Sequence, residues 1–515
     1  MLPALLLPLW GALAGAGGVR AQDLEGWLSG LAGREGPIPR EQVREWRRRQ
    51  PDLPERLRRL AREGAPAVRV GAVRALGQVE EPDERETLAL LGETGERAPG
   101  PALREAAWAA LAARGAQATL GAVLGRVVVE QEPWRARALR RLDLLGNGPG
   151  VHALTQVTLA DRVPLAVRLE VVRRLGEVGA TQAAGRLRGL RLERDGLGWA
   201  EGRRLECALS VALLRLGEGD PEGALPLLVD AALDPDPELA AEGLAGLRLL
   251  PPGQVAGGLL GVLRDKDPAR RLRGLQLAGL LPGASPELVL RVEGVAADED
   301  EQLPLRQAAV RALGQLGSLG SVPVLCAILD RRGRGEESPL RREAAEALGR
   351  LGPSDPARAA LERALLDEEA GVRRAALRAV TALGDLRSGP ALDELLRRRL
   401  PSSSLERLLR VQAALRLGLL GSEPAERLLG MRREDDDTRL ALELVGYARA
   451  LPELDPAVPA LIDLLTHGAA LVREAAHAAL LQRTGQAIPY DPDLTPHDAL
   501  NLERWRGWWQ AARKR

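Results

Sequence analysis

Phenylalanine is missing from this chain of 515 residues, and lysine occurs only at Lys266 and Lys514. Cysteine, methionine and tyrosine appear twice each, and histidine four times. Each scarcity argues against a class of chemistry. Cys207 and Cys326 lie far apart, each in an apolar run (ECALSVALL and VPVLCAIL). They read as small buried hydrophobes, not as a disulfide pair or a zinc site. His152, His467, His477 and His497 form no HExxH motif, and no GxSxG, P-loop or strand-borne GxGxxG occurs. No catalytic machinery, metal or cofactor is therefore expected. The charge is almost balanced, with 72 basic and 71 acidic residues and a net +1. A nucleic-acid binder usually carries a basic excess, so none is expected as a partner.

Arginine supplies 70 of the 72 basic residues, and Ala, Gly and Pro are abundant. That bias marks a GC-rich genome, so the arginine excess reads as codon usage before anion recognition. Leu2–Leu13 is apolar, Gly15–Gly18 is small, and Val19-Arg20-Ala21 resembles an A-x-A-like cleavage site. Residues 1–21 thus read as a secretory signal, although no Lys or Arg precedes the apolar stretch. The expected product is exported, periplasmic or secreted, with no membrane span in the mature chain, because no other apolar run approaches membrane length.

The organising phrase is Leu340–Gly352, LRREAAEALGRLG. Leu340, Ala344, Ala347, Leu348 and Leu351 fall on one face of a helix, with Arg341, Glu343, Glu346 and Arg350 on the other. The phrase recurs at Leu305–Gly317 and Val372–Gly384. Its first position is found at Val68, Leu103, Trp134, Val167, Leu205, Leu239, Arg270, Leu305, Leu340, Val372, Leu409, Thr438 and Val472, with Arg270 and Thr438 the most degenerate. These thirteen copies span 404 residues, so twelve intervals average about 33.7 residues. An amphipathic helix at that interval is the signature of a solenoid.

A second apolar helix precedes each phrase, for example Val322–Leu329, Ala357–Leu366, Ala391–Arg397 and Ala457–Leu465. The unit is therefore an antiparallel helix pair. Gly77, Gly146, Gly179, Gly217, Gly317, Gly352, Gly384 and Gly421 close the phrases, where a left-handed residue suits a helix end. Asp234, Asp236, Asp265, Asp267, Asp298, Asp330, Asp367 and Asp435–Asp437 stand before phrases, where a carboxylate caps the free N–H groups. The acidic runs Asp298–Glu301 and Glu434–Asp437 match no EF-hand loop and read as solvated turns.

Four regions follow: a signal at 1–21; an N-terminal linker and capping helix pair at 22–66; a repeat array of about thirteen units at 67–484; and a C-terminal loop with a Trp-rich capping helix at 485–515. Within the second, Gln22–Pro37 reads as irregular, and Pro39–Arg49 and Leu53–Glu63 as the helices.

An apolar residue, then Arg, two small residues and ALGxLG after an Asp-bearing turn, resembles HEAT repeats. It is most similar to the short HEAT-like repeats of the phycobilin lyase group. The resemblance covers about Leu53 to Gly485 and implies an all-α, right-handed α-solenoid, an α-α superhelix with terminal caps. It also implies that the phrase helix lines the concave side, and that Asp–Arg ladders join repeats. The C-terminal TG, Tyr-Asp-Pro loop and Trp-rich helix look similar to exported bacterial HEAT-repeat proteins.

Arg occupies the second phrase position in 11 of 13 copies, including Arg104, Arg306, Arg341, Arg373 and Arg473. These residues either bind a polyanion or pair with turn carboxylates. The seventh position points toward the presumed groove and holds Arg74, Arg140, Arg173, Arg311 and Arg378, but also Glu346, Gln276, Ala109, Ala245 and Leu415. Those arginines are either ordinary solvated helix surface or the candidate binding residues for an acidic partner. Trp505, Trp508 and Trp509 sit at i, i+3 and i+4, so they share a helix face. They read as a cap over the repeat at Val472, or as an aromatic dock. The functional expectation is a non-catalytic protein-binding scaffold of the bacterial cell envelope, with its protein partner on the concave face. The alternative is a lyase or chaperone-like factor for a pigment or cofactor, which would need a polar pocket with His or Tyr in the groove.

Overall fold

The computed structural model describes residues 21–33, 38–81, 83–130, 132–160, 162–192, 198–281, 283, 285–331, 337–398, 400–433, 437–490 and 499–514. The apolar segment Leu2–Leu13 lies outside the described residues. Among the described residues all regular structure is helical. Two compact units divide the chain between Leu249 and Leu250.

The second unit is a stack of antiparallel helix pairs. Its phrase helices include Leu303–Leu316, Ser338–Leu351 and Ala370–Leu383, each ending one residue before its closing glycine. Companion helices Val322–Leu329, Asp355–Ala364 and Gly389–Arg397 alternate with them. The apolar stripe predicted from the 3.6-residue period is the buried face. Leu313, Leu348, Val372 and Val380 are all removed from solvent, each leucine by an amount worth about 1.5–3 kcal/mol. Consecutive phrase helices approach closely because small residues meet at their crossings. A Cβ on Gly314 would lie 2.8 Å from Cα of Ala347, and one on Gly349 would lie 3.0 Å from Cα of Ala379.

Helix ends follow their local chemistry. Gly317 and Gly384 adopt the left-handed conformation, with φ of 73° and 64°, which suits a residue without Cβ. Gly77 and Gly421 do not behave as expected. Gly77 keeps a helical φ of −62° and is small because a Cβ there would lie 2.8 Å from Cα of Ala110. Gly421 is extended and begins the next helix, while Gly418 takes the left-handed turn at φ 65°. Asp236, Asp267 and Asp437 accept N–H groups from the first turns of their helices. Asp298 instead follows the helix Pro286–Ala297, and Asp330 follows Val322–Leu329. The degenerate copies at Arg270 and Thr438 are helical nonetheless, at Pro268–Leu280 and Thr438–Ala450.

In the first unit the expected irregular stretch Gln22–Pro37 is corrected: Ala21–Ala32 is a helix. Leu24, Leu28 and Leu31 are buried, and the helix packs on Pro66–Leu76. Gly71 makes room for it, since a Cβ there would lie 1.9 Å from the Leu28 carbonyl oxygen. The helices Arg40–Arg49 and Leu53–Glu63 follow, and their arginines meet an acidic turn. Arg44 pairs with Glu80 and Arg58 with Glu81, at 2.5 and 2.6 Å. The copy at Trp134 is short: Trp134–Arg140 gives way to a 3-10 turn at Leu142–Leu145.

The C-terminal helix Ala499–Ala512 packs on Ala457–Leu464, the companion helix of the repeat at Val472. Trp505 is fully buried, with its ring edge-on to His477.

Candidate functional site

Seven of the second-position arginines are structural. Arg104, Arg168, Arg306, Arg341, Arg373, Arg410 and Arg473 are all buried. Arg104 donates to the Ala98 carbonyl at 2.7 Å and to Glu130 at 3.0 Å, and its guanidinium lies over the Trp134 ring. Arg306 pairs with Glu337, Arg271 with Glu301 and Arg341 with Asp367. Arg373 reaches Glu406 and the carbonyls of Asp367, Glu368 and Pro401. Most of these carboxylates are glutamates, where the ladder was expected to use aspartates. Asp236, Asp267 and Asp437 are engaged at helix N-termini, and Asp236 accepts from Arg204 as well.

The seventh positions divide. Arg74 donates to the Leu31 carbonyl at 2.7 Å, which ties the N-terminal helix down. Arg173 donates Nε to Glu242 at 2.5 Å. The two residues are 69 apart in sequence, so the pair skips the phrase helix Trp199–Arg215 that stands between them. Both charges are felt by Cys207 in that helix. Burial first and Glu242 second push its thiol up to about 12, with Arg173 opposing. Arg311 donates to Glu343 at 2.6 Å, and that carboxylate is buried. Each of the three thus has a partner within the fold, and Arg311 is still exposed. Arg140 and Arg378 are exposed.

Sequence reasoning missed two further arginines. Arg342 and Arg374 occupy the third phrase position, four residues before the seventh, so Arg374 shares the helix face of Arg378. Arg342 is exposed and Arg374 half-buried. The i,i+4 spacing of Arg374 and Arg378 carries that signal in the sequence.

The other singled-out residues have structural surroundings. Cys207 is buried, but Cys326 is only half-buried, which corrects the reading of both as core. Trp505 cannot act as a dock, while Trp508 and Trp509 are half-buried beside it. The Tyr447 hydroxyl donates to the Leu419 carbonyl, and His477 packs against Tyr490. Asp298–Glu301 is a turn in which Glu299 pairs with Arg331 and Glu301 with Arg271. Only Asp437 of the second acidic run is among the described residues, and it caps a helix. No helix among the described residues is long and apolar enough to cross a membrane.

A family model for HEAT repeats matches residues 333–402, and one for the PBS lyase HEAT-like repeat matches residues 305–331. No curated protein matches the chain. Among solved structures, human deoxyhypusine hydroxylase in complex with glycerol is 23% identical. That match covers 52% of this chain and 97% of that one, with a TM-score of 0.22. Kap121p bound to Ste12p is 12% identical over 86% of this chain and 56% of its own, with a TM-score of 0.49. Yeast importin-beta (Kap95p) is 12% identical over 90% and 64%, with a TM-score of 0.42. The chain thus spans less than two thirds of the length of these two karyopherins.

Proposed function

We propose that this chain, which matches HEAT-repeat family models at residues 305–331 and 333–402, is a non-catalytic scaffold that binds a protein partner on its phrase-helix layer. The carrying observation is the Arg173–Glu242 pair. Side chains two repeats apart touch only where the phrase helices converge, so this pair supports a concave phrase-helix side in the first unit. In the second unit, the small residues at Gly314 and Gly349 support the same reading, since they let the phrase helices crowd together. A concave helical layer offers an extended surface, and repeat proteins bind along such surfaces.

The apolar segment Leu2–Leu13 and the Val19-Arg20-Ala21 site support export to a bacterial envelope. Cleavage after Ala21 would leave Leu24, Leu28 and Leu31 in place. N-terminal sequencing of the secreted product should begin at Gln22, and a product retaining Met1 would contradict export.

A photo-reactive residue placed at Arg378 tests the binding reading against one placed at Leu290, which is exposed on the companion helix Pro286–Ala297. Cross-linking to a discrete protein from the Arg378 position alone is expected. Cross-linking from the Leu290 position alone would overturn the assignment.

A further inference from the structure

Charge is unevenly spread over three successive phrase helices of the second unit. Leu303–Leu316 and Ala370–Leu383 contain no Asp or Glu, and Ser338–Leu351 contains only Glu343 and Glu346. Against these stand Arg306, Arg311, Arg341, Arg342, Arg350, Arg373, Arg374 and Arg378. Arg306, Arg341 and Arg373 are withdrawn into the ladder. Five arginines remain at the surface. Glu343 lies buried beneath Arg311 and Arg342, and Glu346 pairs with Arg350 at 3.4 Å. Arg374 and Arg378 have no ion-pair partner among the described residues.

Two like charges four residues apart on a helix repel. Among the described residues no carboxylate pairs with Arg374 or Arg378 to offset that repulsion. We infer that Arg342, Arg374 and Arg378 receive an acidic segment of a protein partner. The inference rests on the phrase-helix layer being the binding surface. Guanidinium groups clamp carboxylates in a fork geometry, so a Glu- or Asp-rich segment is the complementary ligand. A nucleic acid fits less well. Single strands are held by aromatic stacking as well as charge, and these three helices carry no Trp or Tyr in a chain without Phe.

The test uses the full chain and a fluorescein-labelled Glu-rich peptide, read by fluorescence anisotropy at low salt. The wild type binds this peptide but not its Gln-substituted counterpart. The R374E/R378E variant loses affinity by about tenfold or more, and added salt weakens what remains. The neutral R374Q/R378Q variant falls between, which separates lost charge from disturbed folding. An R48E/R59E control, altered at exposed residues of the N-terminal helices, binds as wild type. The inference is overturned by failure of the wild type to bind the peptide, by an equal loss in the control, or by tighter binding of a single-stranded oligonucleotide. A cross-linked partner that binds R374E/R378E unchanged would also overturn it, while leaving the scaffold reading intact.

Discussion

Arg373 donates to both oxygens of Glu406, from Nε at 2.9 Å and Nη2 at 3.1 Å, and both side chains are buried. The residues belong to neighbouring repeats. Glu406 also accepts from Arg410 at 2.6 Å, so one carboxylate holds two buried guanidinium groups. The pair is a rivet between the helices Ala370–Leu383 and Ser404–Arg416.

Glu406→Gln removes the charge and keeps the shape. Breaking one side of a buried ion pair costs about 3–5 kcal/mol, because the remaining charge stays uncompensated. Since repeats couple mainly to their neighbours, hydrogen exchange should accelerate in residues 370–416 before it does near the chain ends. Uniform acceleration along the chain would show that the rivet is not local.

Gly71→Ala places a methyl group against the Leu28 carbonyl and should dislodge the helix Ala21–Ala32. Each buried leucine lost from that contact removes about 1.5–3 kcal/mol. Limited proteolysis should then cut within residues 21–33 at a protease level that spares the wild type. Equal resistance would mean that the N-terminal helix contributes nothing to the fold.

Cys207 should resist alkylation. The thiolate is the reactive form, and burial holds the Cys207 thiol neutral until about pH 12. Cys326 is also shifted up, first by burial and then by Asp330, but it is half-buried and should react sooner. Mass spectrometry after iodoacetamide at mildly alkaline pH should find Cys326 modified and Cys207 intact. Rapid modification of Cys207 in the folded protein would contradict its burial.

Much of the fold was legible because a single periodic signal generated it. The apolar stripe of Leu340–Gly352 reports local amphipathicity, and the structure returns it as Ser338–Leu351. Where stability comes from distant packing, the sequence was silent. Gly26 and Gly30 gave Ala21–Ala32 the look of a loop, yet a niche at Gly71 secures it as a helix. The candidate site was half legible. Arginine at the seventh position could be read from spacing, but the engagement of Arg74, Arg173 and Arg311 depends on Leu31, Glu242 and Glu343, which lie 32 to 69 residues away. No helical period connects residues at that range.

The central claim is that the phrase-helix layer, not the companion layer or the C-terminal tryptophans, carries the partner. Hydrogen–deuterium exchange of the full chain, with and without the partner trapped through Arg378, tests it most directly. Two outcomes are predicted: new protection in Ser338–Leu351 and Ala370–Leu383, and unchanged exchange in Pro286–Ala297, Val322–Leu329 and Ala499–Ala512. Protection confined to those last three helices would contradict the account.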